Sequence, residues 1–159
     1  MKSATVKELK TELLDRSPKE VMELCLRLSR FKKENKELLT YLLFEAADEE
    51  SYIESVKEEI DGRFELVNKK SPYFVKKSIR GILNHTKKYI RYSQNKETEV
   101  ELLLYFCQKL KSFRPSIYRN RKVEVIYDRL IEQCKKKIML LHEDLQYDYL
   151  RILESLWFF

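Results

Sequence analysis

Glycine and proline are nearly missing from this chain. Two Gly and three Pro stand among 159 residues, about 3% where average usage gives about 12%. Phosphate loops, dinucleotide-binding fingerprints and the many tight turns of sandwiches and barrels need positive φ at fixed positions, which glycine supplies. The shortage excludes those folds and points to an all-α chain. Histidine is just as sparse: His85 and His142 belong to no HExxH or Glu-x-x-His spacing, so zinc and di-iron sites lack their ligands. No glycine-flanked serine elbow is present either. The expectation is a protein without metal, cofactor or catalytic residues.

Long apolar runs are absent as well. The longest, Leu102 to Cys107, is six residues, against about 20 needed to span a bilayer, and the opening Met1-Lys2-Ser3-Ala4-Thr5-Val6-Lys7-Glu8 has no apolar stretch of the secretory kind. These features predict a cytoplasmic protein with no membrane insertion. Cys25, Cys107 and Cys134 form an odd set with no CxxC spacing. Each lies in an apolar helical context, and all three read as buried, reduced thiols.

What is present is helix punctuation. Thr5 with Glu8 is a capping-box pattern that opens a first helix to about Leu14, and Ser17-Pro18-Lys19-Glu20 opens a second from Pro18 to Phe31. A third runs to Glu45. Asp48 caps a fourth ending near Asn68, Ser71-Pro72 starts a fifth reaching Ser93, and Asn95 caps a sixth ending at Phe113. A seventh spans roughly Arg121 to Leu141 and an eighth roughly Asp144 to Trp157. Apolar stripes recur at helical spacing, as in Ile53, Val56, Ile60 and Phe64. With connectors this short, successive helices are antiparallel neighbours. The expected architecture is a single domain, 1–159, of about eight antiparallel helices, arranged as a bundle or as a short stack of helical hairpins.

One segment departs from the rest. From Leu66 to Lys96 the chain holds nine Lys or Arg and no Asp or Glu, where its average density would place about five acids. The net charge of the whole chain is +6, so everything outside this segment sums to 6 − 9 = −3. At about 100° per residue, Lys76, Lys77, Arg80, Lys87, Lys88 and Arg91 share an arc of about 120° on the fifth helix. Tyr73 and Asn84 fall in the same arc, and Val75, Ile79, Ile82, Leu83 and Ile90 occupy the opposite one. The row is about 22 Å long at 1.5 Å per residue. Further bases, Lys109, Lys111, Arg114, Arg119, Arg121 and Lys122, cluster around the next long connector, and would enlarge the patch if they adjoin it.

Two arrangements of this face are open. The preceding helix is strongly acidic, and in an antiparallel hairpin the register sets Glu65 beside Lys77, Asp61 beside Arg80 and Glu54 beside Lys88. If those acids lean across, half of the bases are consumed within the chain. If Phe74, His85, Tyr89 and Tyr92 make the contact instead, the basic row stays open to a partner. On the second arrangement the chain is a non-catalytic interaction module that binds an acidic protein surface, with nucleic acid the alternative partner through the same bases. The closing Trp157-Phe158-Phe159 asks for burial, either by docking on the chain's own helices or in a homodimer.

Overall fold

A computed structural model describes residues 1–157. Among them every regular element is helical: α1 (Val6–Leu14), α2 (Pro18–Phe31), α3 (Lys33–Thr40), α4 (Glu49–Glu65), α5 (Pro72–Ser93), α6 (Lys96–Ser112), α7 (Arg121–Ile138) and α8 (Glu143–Trp157). The all-α expectation holds. Caps stand where the sequence sets them. Thr5 and Ser17 each close a reciprocal box with the glutamate three residues on, and Ser71 accepts from the Phe74 amide at 3.4 Å. Asp48 and Asn95 cap α4 and α6. Pro18 and Pro72 occupy first turns, where a missing N–H costs nothing.

Three helix ends differ from expectation. The third helix gives way at Tyr41 to a π-helical turn, Tyr41–Glu45. The fourth stops at Glu65 and the seventh at Ile138, three residues short in each case. Both run out in tightened turns, with the Val67 amide bonded to the Phe64 carbonyl and the Leu141 amide to that of Ile138.

The chain forms two compact units, Met1–Phe44 and a second beginning at Glu45. In the first, α2 packs on α3, and the Asn35 side chain donates to the Leu28 carbonyl at 2.8 Å. No residue of α1, α2 or α3 is buried. Cys25 is therefore exposed, contrary to the expectation of a buried thiol, because α2 carries more apolar positions than its own unit covers.

The second unit is an up-and-down bundle around α6. Val100, Leu102, Leu103, Phe106, Cys107 and Leu110 of that helix are wholly buried, and α4, α5, α7 and α8 all pack on it. Hydrogen bonds set the directions. Glu49 accepts from Ser93 and Thr98, and Asp61 accepts from Tyr105 at 2.8 Å and Lys109 at 2.8 Å, so α4 runs alongside α6 in the same sense while α5 runs against both. Lys137 pairs with Glu99 at 2.8 Å, turning α7 back along α6. Tyr127 donates to the Leu156 carbonyl at 2.9 Å, closing α8 over α7. Phe64 packs on Phe106 and Phe113 with ring centroids 5.4 and 6.1 Å away. Cys107 and Cys134 are buried free thiols in this core, as expected; the hydrogen bond to Cys134 and burial hold the Cys107 thiol well above its ordinary pKa. Among the described residues, no helix is long and apolar enough to cross a membrane.

Candidate binding groove between α5 and α7

Of the two arrangements open to the basic helix, the aromatic flank makes the contact with α4. Tyr89 donates to Glu59 at 2.6 Å, and Tyr52 donates to the Tyr89 carbonyl at 3.0 Å. Tyr92 is buried. Phe74 stays exposed at the start of the helix, edge-on to Tyr73. Two of the three carboxylates that were candidates for pairing with α5 turn elsewhere, Asp61 to Tyr105 and Lys109 and Glu54 to Lys57 at 2.7 Å, while Glu65 is exposed. Lys57 also reaches Glu101 at 2.6 Å. Partial burial works against the Lys57 charge, but the bonds to Glu101 and Glu54 outweigh it and raise its pKa. Glu59 shows the converse: burial opposes its charge, while Tyr89 and Arg63 stabilise the carboxylate and leave its pKa lowered.

Lys76, Lys77, Arg80, Lys87 and Arg91 consequently carry no ion pair among the described residues. The sixth base, Lys88, places its ammonium over the rings of Tyr89 and Tyr92, 5.0 and 6.0 Å from their centroids. Tyr73 and Lys77 are exposed beyond the main row. Val75, Ile79, Ile82, Leu83 and Ile90 are buried in the bundle, so the apolar side of this helix is spent on the core.

The row opens onto a groove whose other wall the sequence reading left out. Asn120 donates to the Pro72 carbonyl at 2.9 Å, fastening the start of α7 to the start of α5, and the two helices run in the same direction. Between them lies a cleft of about 450 Å³, lined by Arg80, Leu83, Asn84 and Lys87 of α5 and by Ile126, Arg129, Leu130 and Gln133 of α7. No acid lines it. On α7, Lys122, Arg129 and Lys136 recur every seventh residue, which is two turns, with Ile126 and Gln133 between them. That spacing is the signal that could have found the second wall. Glu124 and Asp128 point about 140° and 100° away from Arg129 on the helical wheel. Leu83 and Leu130 lie nearly covered beneath the bases, and the half-buried Ile126 is the apolar side chain that the cleft exposes most.

The other bases expected to adjoin the patch divide. Lys109 is taken by Asp61, and Lys111 donates to the carbonyls of Ser155 and Leu156. Arg119 shares with Lys69 and Lys70 a cavity of about 200 Å³ where α5 and α7 begin. At the far end of the chain, Trp157 is half exposed beneath the Lys135 ammonium, 5.4 Å from its ring centroid; Phe158 and Phe159 lie outside the described residues. No group of three or more His, Cys, Asp or Glu among the described residues is placed to hold a metal ion. The chain matches no family model, no curated protein and no solved structure.

Proposed function

We propose that the chain is a non-catalytic helical interaction module whose α5/α7 groove receives an acidic, amphipathic helix from a partner protein. The observation that carries this reading is the make-up of the cleft: Arg80, Lys87 and Arg129 on its walls, Leu83, Ile126 and Leu130 on its floor, and no carboxylate between them. A helix that lays an apolar stripe on that floor brings its flanking acids to the walls. The charges supply orientation and association rate, with the half-buried Ile126 the main apolar contact.

Nucleic acid is the second reading, favoured by one further observation. The row that holds Lys76, Lys77, Arg80, Lys87 and Arg91 spans about 22 Å in all, longer than the cleft and long enough for several phosphates. The exposed Glu50, Glu54, Glu58 and Glu65 of α4 weigh against it, because they set a negative field on the same unit.

Fluorescence anisotropy separates the two, using a labelled peptide with Leu and Glu at helical spacing and a labelled oligonucleotide of about 20 nucleotides, single-stranded or duplex. The peptide binds, and the combined substitution Arg80→Glu, Lys87→Glu and Arg129→Glu weakens it more than about tenfold while the circular-dichroism melt is unchanged. Oligonucleotide binding alone, steeply salt-dependent and lost in the same variant, puts the second reading in its place. Failure of both probes at low salt removes the groove as a binding site.

A further inference from the structure

The connectors at one end of the second unit carry a charge that lies outside the α5/α7 cleft. Because α4 and α6 run in one sense and α5 and α7 in the other, the α4–α5 and α6–α7 connectors meet. Together they line the cavity of about 200 Å³ that holds Lys69, Lys70 and Arg119. Residues 66–77 and 113–122 contain eight Lys or Arg and no Asp or Glu. None of the eight forms an ion pair among the described residues, and all but Lys76 are exposed. Glu65 and Glu124 are the acids that border these stretches. At the other end, 45–50, 94–99 and 135–144 hold eight acids against four bases. The unit is thus an electrical dipole along its axis, and a negatively charged surface turns the basic end toward itself.

What stands among these bases chooses between kinds of anion. Leu66 is 85% exposed, more than any other large apolar side chain described in the second unit, and Tyr73 is 65% exposed. Tyr118 stands on the facing connector, 39% exposed. A polynucleotide offers aromatic rings a base to stack on, but it has no apolar place for a leucine. At a bilayer surface each kind of residue has its own depth: leucine in the acyl boundary, tyrosine at the headgroups, Lys and Arg on the phosphates. Position argues the same way. Glu50, Glu54 and Glu58 lie about 12 Å or more along α4 from Leu66, beyond a Debye length of about 8–10 Å. A surface that meets only the end of the bundle escapes their field. No helix enters the bilayer, because the apolar side of α5 is buried in the core and the connectors make the contact.

We propose that this end of the second unit is a docking face for a bilayer of anionic phospholipid, with Leu66 and Tyr73 set into the interface and a headgroup phosphate held among Lys69, Lys70 and Arg119. The face is separate from the α5/α7 groove, and neither site requires the other.

The full chain is tested by co-sedimentation with vesicles of phosphatidylcholine containing about 30% phosphatidylserine, and with vesicles of phosphatidylcholine alone. The serine-containing vesicles are expected to bind it more than about tenfold more tightly, with an affinity that falls as salt rises. Together, Lys69→Glu, Lys70→Glu and Arg119→Glu weaken binding more than about tenfold, since each base near an anionic surface contributes about fivefold. Leu66→Ser leaves the charge unchanged and weakens binding about fivefold. All four positions are exposed, so the circular-dichroism melt stays as it is. Leu66→Trp supplies a second measurement: on binding, its emission moves to the blue and is quenched by bromine on the acyl chains, beyond any change the unaltered chain shows from Trp157. Equal binding to both kinds of vesicle, binding to neither, or full affinity in either the charge-reversed chain or Leu66→Ser overturns the proposal. So does an oligonucleotide of about 20 nucleotides that binds this end when vesicles do not, which would make the phosphates those of nucleic acid. Leu66→Ser leaves binding of the acidic peptide in the α5/α7 groove unchanged, so the two sites fail separately.

Discussion

At the scale of single residues, Gln94 is the clearest point of strain. It ends α5 with φ of 56°, the left-handed conformation, and is the positive-φ non-glycine residue among those described. An L side chain there costs about 1–2 kcal/mol, which glycine avoids. The residue is held because its amide still bonds the Ile90 carbonyl while Asn95, next in line, caps α6 through the Glu97 amide at 2.9 Å. Gln94→Gly is expected to stabilise the second unit by about 0.5–1 kcal/mol and to raise its melting temperature by about 2–6 °C. Calorimetry showing no rise or a fall would mean that the glutamine side chain supplies a compensating contact. This position was illegible in the sequence, since nothing about glutamine advertises positive φ. Ser17, Ser71 and Asn95 were legible for the opposite reason: a cap is a local bargain between one side chain and an amide two or three residues away. Cys25 was misread at the same scale, because an apolar neighbourhood on a helix says that burial is wanted and does not say that it is met.

At the scale of elements, α6 could be read from Leu102-Leu103-Leu104-Tyr105-Phe106-Cys107, a run too short for a membrane and too continuous for a helix with one wet face. A helix that is apolar all round belongs at the centre of a bundle, and there it stands. The partners of α4 were not readable. Wheels give each helix a charged face without giving the rotation that brings two faces together, and the aromatic flank of α5 settles it by burying Tyr92 and setting the Tyr89 hydroxyl on Glu59 of α4. The α4 contacts carry a consequence for pH. Glu59 has a pKa below its ordinary 4.5 in the folded chain, so the stability it contributes is present above that value and disappears as pH falls through the lowered one. Lys57 and Lys109 lie above their ordinary 10.5; for Lys109 the hydrogen bond to Asp61 is the chief cause. Their contribution is complete below pH 10.5 and disappears as pH rises through the raised values. Thermal melts should show a plateau between about pH 5 and pH 10 with a fall on either side. Glu59→Gln is expected to make the acid limb shallower, and an unchanged limb would show that other carboxylates carry it.

At the scale of the whole molecule, composition conveyed helix throughout, and the basic, acid-free stretch from Leu66 to Lys96 conveyed one wall of the groove. The other wall was hidden because α7 mixes Glu124, Asp128 and Glu132 among its bases, so its net charge is unremarkable and only the sevenfold spacing of Lys122, Arg129 and Lys136 separates the two kinds. The division at Phe44 was hidden too, since no Gly- or Pro-rich linker marks it. The Asn120–Pro72 hydrogen bond, which sets α5 and α7 side by side in the same sense, has a last consequence. Two parallel helices add their macrodipoles instead of cancelling them. The groove therefore has a polarity: its Lys76 end lies beside two helix N-termini and the bases Lys69, Lys70 and Arg119, and its Arg91 end beside two C-termini. An anionic ligand in it is expected to bind in one direction, with its most densely charged end toward Pro72 and Arg121. A peptide with an acidic block at one end and a nitroxide beside that block should broaden the amide resonances of residues 121–125 and spare those of 138–142. A peptide of reversed sequence should turn round and broaden the same set, whereas equal broadening at both ends would mean that the groove recognises charge without orientation.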